Sequence, residues 1–319
     1  MNASLPAVEA DLTVIGAGLL GPWHLTGEAE GCLRRARVVY CSVYNEDIAD
    51  RVRCLNAEAP IRFEEEQEYR PGMFRPAMYR RMANAVVEEA ARGPGVVALH
   101  PGSAMVVDLV TQFILEEAAA IGLRTRIVPG ISSIECVLST LQYDASDGLQ
   151  IVLAQKLVLG GPPLSPKLAT ILLQPAYYDT LFFAGAPRSL EGRFDELQRH
   201  LSRIWTLEAP MALLTVPTHD DRRGRVFWFR LANLGRLYGA LSPLQTLFVP
   251  PARALPDDRG FAARLRSWTG LLSRVERGAS GELAQHSADE MYGGPLIADE
   301  DLVADDALLA ARWEKRGRW

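Results

Sequence analysis

Short apolar runs alternate with longer stretches of helical periodicity through the first half of the chain. Short apolar runs between turn residues are typical of buried strands, and the longer periodic stretches are typical of amphipathic helices. Their alternation predicts a mostly parallel sheet covered by helices. The predicted strands are 12–15, 37–40, 95–99 and 125–128, and the predicted helices are 77–91 and 106–121.

A polar cluster at 143–148 interrupts this rhythm and predicts a domain boundary. A second α/β segment follows, and from 278 onward the sequence turns to small and acidic residues that offer little apolar surface for a core. We therefore expect two α/β domains, over 1–145 and 146–277, and an acidic, partly helical tail over 278–319. The elements predicted in the second domain are strands at 151–153, 170–173, 180–184, 212–216 and 246–249, and a helix around 190–203.

Composition narrows the possible functions. A chain of 319 residues with 48 % hydrophobic content can bury a sizeable core. Its formal charge of −5 lacks the basic excess that a nucleic-acid binder needs. No apolar run approaches the ~20 residues needed to span a bilayer, and the N-terminus lacks the features of a secretion signal. We expect a cytoplasmic protein with reduced cysteines and no metal site, because the four cysteines show no ligand spacing.

A glycine-rich turn follows the first predicted strand. Gly16, Gly18 and Gly21 match G-x-G-x-x-G, the fingerprint of dinucleotide-binding loops. That fingerprint also needs an acidic residue at the end of the next strand, yet the nearest acid here is Glu46 in the following loop. The alternative is a tight turn in which glycine supplies positive φ without any ligand.

Two further loops leave the carboxyl ends of predicted strands, where open α/β sheets bind their ligands. One loop is HPGSAM, centred on Gly102, and the other is PGISS, which contains Ser132 and Ser133. These serines either cap the following helix or donate hydrogen bonds to a ligand. For His100, capping of its loop is the favoured interpretation.

The G-x-G turn, the loop around Gly102 and the PGISS segment together resemble the tetrapyrrole methylase superfamily, the class III methyltransferases. The resemblance covers roughly 12–251. It implies two α/β domains with S-adenosylmethionine in the cleft between them, and a homodimer. The usual G-D-P of the middle loop is replaced here by Gly102, Ser103 and Ala104.

A polar stripe runs along the predicted helix that follows residue 74. Arg75, Tyr79, Met82 and Val86 lie on one helical face, so a guanidinium and a phenol are expected to point inward. Buried groups of this kind need partners, which could be each other, Tyr69 or a substrate. In the structural alternative, Arg75 binds a loop carboxylate and Tyr79 fills a gap in the core.

The spacing of Tyr69, Arg75 and Tyr79 resembles the Tyr-Arg-Tyr active-site set of the borosin peptide α-N-methyltransferases, which implies catalytic roles for these three residues. The segments LAQKLVLGGPPLSP, TILLQ, ALLTVPT and QTLFVPPAR are also similar to that family, although a tyrosine expected before Tyr69 is replaced near Glu66. The cofactor-binding residues that the resemblance implies are Gly16, Pro101, Gly102, Ser103, Val106, Val107, Ser132, Ser133, Ala154, Gln155, Gln174 and Thr246.

The resemblance also suggests a mechanism. Tyr79 or Tyr69 would take or share the proton of a backbone amide, while Arg75 favours the ionised phenol and stabilises charge on the carbonyl oxygen. We expect the precursor peptide to be a separate chain, because the tail ends in RWEKRGRW, unlike a hydrophobic core peptide. Automethylation of the tail stays open, as do a tetrapyrrole or other small-molecule acceptor and a non-catalytic binding protein.

Overall fold

The computed structural model describes residues 10–42, 46–63, 72–183, 192–218, 224–237 and 245–252. Within these ranges the strands form two five-stranded sheets. The strands are β1 Leu12–Gly16, β2 Val38–Cys41, β3 Ile61–Phe63, β4 Val96–His100, β5 Thr125–Val128, β6 Leu149–Leu153, β7 Ala169–Leu173, β8 Pro210–Thr215, β9 Arg225–Arg230 and β10 Gln245–Val249. The α-helices are α1 Gly27–Leu33, α2 Glu46–Leu55, α3 Arg75–Ala91, α4 Leu109–Ala120, α5 Ser133–Leu141, α6 Ala154–Val158 and α7 Asp195–Leu201.

The first sheet has the order β3-β2-β4-β1-β5, and all its neighbouring strands are parallel. Leu12 and Val14 pack on one face with residues of α3 and α4. Ile15 and Val39 pack on the other face with residues of α1 and α2. Because helices cover both faces, the inner strands β2, β4 and β1 are apolar along most of their length rather than alternating.

The second sheet has the order β6-β7-β10-β8-β9, with a parallel β6–β7 pair and antiparallel pairs elsewhere. Val137 and Leu141 of α5 belong to the apolar cluster on one of its faces. Leu19 and Val106, from the loops after β1 and β4, pack against the same cluster. The loops at the carboxyl ends of β1 and β4 in the first sheet therefore contact the core of the second.

The predicted α/β class with two sheets is confirmed. One predicted strand, 180–184, is wrong, because Thr180 to Phe183 form a loop with a single β-bridge between Phe182 and Phe74. The helix predicted to begin at 106 begins at Leu109, since Asp108 caps it by accepting a hydrogen bond from Thr111 N. The prediction missed α2, α6, β3 and β9.

The predicted limits of the two domains stay predictions, and the proposed tail over 278–319 lies outside the described residues. Of the helices that the structure describes, none is both long and apolar enough to cross a membrane.

Candidate functional site

Three loops converge at the carboxyl ends of β1, β4 and β5. A Cβ atom added to Gly16 would lie 2.6 Å from Gly102 O and 2.7 Å from Gly130 N. Both atoms belong to backbone that cannot swing aside, so glycine is required for this close approach. Gly18 and Gly102 also exchange backbone hydrogen bonds of 3.0 and 2.9 Å. The loops that carry predicted cofactor residues are thus fixed against one another.

Gly18 and Gly21 adopt φ values of 72° and 64°. The positive φ that the alternative interpretation requires of this turn is therefore present at both glycines.

The loop over 101–107 connects β4 to α4 and contains five of the predicted cofactor residues, Pro101, Gly102, Ser103, Val106 and Val107. Val106 N donates to Ser103 O at 3.0 Å, which folds the middle of the loop into a turn. At its base, His100 Nδ1 lies 3.0 Å from Asp108 Oδ2. His100 therefore closes the loop through a carboxylate.

Asp108 has a pKa below its ordinary value. Burial pushes this pKa upward, but the charge and hydrogen bond of His100 and two hydrogen bonds from Thr111 outweigh the effect of burial. Asp108 is therefore a carboxylate at neutral pH.

Backbone strain gathers at two predicted cofactor residues. Val107 has φ 57° and Gln174 has φ 50°, in the left-handed region that residues other than glycine rarely adopt. A third such residue, Gln142, ends α5 as a left-handed cap, which is common for helices. Strained residues that are not helix caps, such as Val107 and Gln174, concentrate at ligand sites. Together with the convergent glycine loops, they fit a cofactor held largely by backbone groups.

The two predicted serines, Ser132 and Ser133, occupy different positions at the start of α5. Ser132 is buried, and its Oγ accepts a hydrogen bond from Glu135 N at 3.3 Å, so it caps α5. Ser133 is the first residue of that helix. The capping hydrogen bond therefore explains the presence of a serine at position 132 without a ligand.

The remaining predicted cofactor residues come from the second sheet. Ala154 is fully buried at the start of α6, and Gln174 directly follows β7. Thr246 is buried in β10 opposite Leu214. Gln155 Nε2 donates to the carbonyl oxygen of Thr180 at 3.2 Å.

The polar stripe of α3 faces inward, as the sequence predicts. Arg75 is 8 % exposed, Met82 and Val86 are fully buried, and Tyr79 packs against the core of the first sheet. Tyr69, the third member of the predicted catalytic set, lies outside the described residues.

The partners of Arg75 differ from those predicted. Its Nη2 donates to Thr180 O, and its guanidinium carbon lies 4.5 Å from the ring centroid of Tyr177. Among the described residues, its buried Nε has no hydrogen-bond partner. The structural alternative is thus partly correct, because Arg75 does hold a loop, through a carbonyl rather than a carboxylate.

The Thr180 carbonyl links the two predicted residue sets. It accepts hydrogen bonds from Arg75, predicted to be catalytic, and from Gln155, predicted to bind the cofactor. Two donors on one carbonyl oxygen place these side chains beside each other.

Tyr177 is a half-buried member of the site that the sequence did not indicate. Burial raises the pKa of its phenol, the positive charge of Arg75 opposes that increase, and Tyr79 adds to it. Tyr177 is therefore a neutral phenol at physiological pH. Its position shortly after the carboxyl end of β7 is the signal that could have identified it, because ligands gather at such strand ends.

A short ladder of backbone hydrogen bonds holds Arg75 against the loop after β7. Phe183 N donates to Met73 O at 2.8 Å, and Arg75 N donates to Leu181 O at 2.9 Å. Arg75 is thus attached to the second sheet by its backbone as well as its side chain.

Residues 11–215 match the family described as Tetrapyrrole (Corrin/Porphyrin) Methylases. The chain belongs to this family. It is accordingly a methyltransferase, and its cofactor is S-adenosylmethionine.

One relative of this tetrapyrrole methylase is described as "Methyltransferase/ribosomally synthesized cyclic peptide omphalotin A precursor ophMA" of Omphalotus olearius. The two are 24 % identical over 318 residues, which span 92 % of this chain and 76 % of the relative.

Similar solved structures include uroporphyrin-III C-methyltransferases of Thermus thermophilus. One has a TM-score of 0.51 and 21 % identity, and covers 75 % of this chain and 91 % of its own. Another, complexed with S-adenosyl homocysteine, has a TM-score of 0.52 and 19 % identity, and covers 75 % of this chain and 96 % of its own. At such identities the likeness concerns the fold alone.

Proposed function

We propose that this methyltransferase methylates backbone amide nitrogens of a ribosomally made precursor peptide. The observation that carries the proposal is the buried guanidinium of Arg75, next to the phenols of Tyr79 and Tyr177. The relative from Omphalotus olearius, whose description joins a methyltransferase to a peptide precursor, supports a peptide as the acceptor.

The Nε–H of Arg75 suits the carbonyl oxygen of an amide. A buried donor without a partner costs free energy, and among the described residues this one has none. An amide oxygen placed there would gain a charge-assisted hydrogen bond. That bond would strengthen as negative charge develops on the oxygen during loss of the amide proton.

A base must also receive the amide proton, because the amide nitrogen is a poor nucleophile while it keeps that proton. We assign this role to the phenol of Tyr79, or to Tyr69 in the preceding segment. Tyr177, whose pKa is raised by burial, stays protonated and serves as the surface against which Arg75 packs.

The loops around Gly16 and Gly102, with Val107 and Gln174, are the proposed holders of the cofactor. When bound, S-adenosylmethionine supplies an electrophilic methyl group. The amide nitrogen would form a bond to this methyl group as the methyl–sulfur bond breaks, which leaves S-adenosylhomocysteine, and the amide proton would pass to the phenolic base. The two sheets would hold the methyl group in line with the amide nitrogen. They would also keep water away from the reacting atoms.

A tetrapyrrole acceptor is the second candidate, and the description of the family favours it. A tetrapyrrole with several carboxylates would call for several cations around the cleft. Arg193, another arginine close to Tyr177, is already engaged by Asp179. This pairing leaves Arg75 as the cation to which we assign a substrate role.

The two acceptors can be compared directly. Purified protein with S-adenosylmethionine would be offered the peptide encoded nearest its gene and, separately, a uroporphyrinogen. Formation of S-adenosylhomocysteine with the peptide alone supports the proposal, whereas formation with the tetrapyrrole alone would contradict it. A precursor supplied as a separate chain and a homodimeric enzyme are part of the same proposal, and analytical ultracentrifugation tests the latter.

A further inference from the structure

His100 and Asp108 stand at the two ends of the loop over 101–107. His100 is the last residue of β4, and Asp108 is the N-cap of α4. The side chains are 2 % and 12 % exposed, and Nδ1 of the imidazole lies 3.0 Å from Oδ2 of the carboxylate. A buried hydrogen bond therefore joins the two shoulders of the loop.

Asp108 does more than cap a helix. Its Oδ1 accepts from Thr111 N at 3.1 Å, and this bond alone would be enough for an N-cap. Its Oδ2 accepts from Thr111 Oγ1 at 2.9 Å and from His100. A serine could supply the cap but not the second oxygen, so the carboxylate is explained by the contact with His100.

The loop between these residues needs a restraint. Val107, directly before Asp108, holds φ 57°, a conformation that is strained for a β-branched residue. Near the other end of the loop, Gly102 is held by its paired hydrogen bonds with Gly18. The loop is thus fixed near both of its ends, while the backbone of Val107 stays strained.

We propose that the His100–Asp108 pair is a positioning device that keeps the loop over 101–107 in the shape that binds S-adenosylmethionine. Neither side chain need touch the cofactor, since both act through the loop backbone. The proposal rests on the assignment of Gly102, Ser103, Val106 and Val107 to the cofactor site, and it does not depend on which acceptor is methylated.

Calorimetric titration of the full chain with S-adenosylhomocysteine tests the pair. His100→Phe keeps the ring volume and removes the donor, and we expect about tenfold weaker binding, as for loss of a buried hydrogen bond to a charged group. His100→Asn places an amide N–H near the position of Nδ1 and should restore most of the affinity. Asp108→Ser retains the cap and should weaken binding as His100→Phe does.

The double variant separates coupling from two unrelated defects. If the pair acts as a unit, His100→Phe combined with Asp108→Ser should bind no more weakly than the weaker single variant. Additive losses would overturn the proposal, as would wild-type affinity in Asp108→Ser. The serine variant also decides the matter if His100→Phe does not fold.

Asp144→Ser is the matched control. Asp144 caps a short turn near β6 by accepting from Ser146 N, and it lies outside the loop. It should bind S-adenosylhomocysteine like the wild type. Because this ligand needs no acceptor, a failure of the pair to influence affinity is distinguishable from a failure of the peptide proposal.

Discussion

The guanidinium of Arg75 lies over the ring of Tyr177, with 4.5 Å between the guanidinium carbon and the ring centroid. Arg75 begins α3 on the first sheet, and Tyr177 belongs to the loop that follows β7 of the second. The candidate site is therefore built by both sheets. A substitution in the loop after β7 should therefore change the rate of methylation, because it changes the orientation of Arg75.

Replacement of Tyr177 tests this dependence. Tyr177→Phe retains an aromatic face for the guanidinium and should keep turnover within about threefold of the wild type. Tyr177→Leu removes that face, and turnover should fall about tenfold, as expected for the loss of a partly desolvated cation–π contact. Steady-state assays of both variants provide the measurement. Equal turnover in the two variants would rule out the aromatic face as the cause.

Tyr79→Phe tests the proposed base. The ring still fills its place beside the core, so folding and affinity for S-adenosylhomocysteine should be unchanged. Turnover should fall at least about hundredfold, the usual contribution of general base catalysis. Tyr40→Phe is the control. Tyr40 lies on β2, and its hydroxyl oxygen accepts a hydrogen bond of 2.7 Å from Arg62 Nη1. Full activity in Tyr79→Phe would exclude Tyr79 as the base.

Gly16→Ala tests the convergence of the three loops. The added methyl group would meet the backbone of Gly102 and Gly130 at less than 3 Å. The free energy of unfolding should fall by about 1–3 kcal/mol, and affinity for S-adenosylhomocysteine should fall as well. Gly27→Ala is matched to it, because an added Cβ there has no neighbour within 4 Å. Urea unfolding and calorimetry should give Gly27→Ala a free energy of unfolding and an affinity for S-adenosylhomocysteine close to those of the wild type.

The ion pair between Asp11 and Arg124 predicts an acid dependence of stability. Hydrogen bonds from the side chain and backbone of Arg124 lower the pKa of Asp11 from 3.8 to about 2. The folded state thus holds this proton less tightly than the unfolded state, so the stabilisation is complete above about pH 4 and is lost as the pH falls toward about 2.

Urea unfolding at a series of pH values measures this loss. Asp11→Asn should show a smaller decrease in the free energy of unfolding across that window than the wild type. Parallel decreases in the two proteins would contradict the assignment.

Several parts of the fold could be predicted because local patterns determine them. The strands predicted at 125–128 and 12–15, and the inward stripe of Arg75, Met82 and Val86, follow from apolar runs and helical spacing. The strand predicted at 180–184 failed because its apolar residues are not buried in a sheet, since Leu181 and Phe182 are exposed. There, one β-bridge joins Phe182 to Phe74, and the few backbone hydrogen bonds around it are too short a ladder to form a strand.

The site could be predicted only in part. The positions of Arg75 and Tyr79 follow from helical spacing, whereas the contacts of Arg75 with Tyr177 and Thr180 join residues about a hundred positions apart. No local pattern encodes such a pairing, because it depends on how the two sheets pack. The contact of His100 with Asp108 also escaped prediction, since the helix was expected to begin before Asp108.

The most direct test is tandem mass spectrometry of the precursor peptide after incubation with the purified protein and S-adenosylmethionine. The account predicts that the peptide gains methyl groups, and that fragment ions place each one on a backbone amide nitrogen. It also predicts that Tyr79→Phe methylates the peptide at least about a hundredfold more slowly than the wild type. An unmodified peptide alongside a tetrapyrrole that gains methyl groups under the same conditions would contradict it.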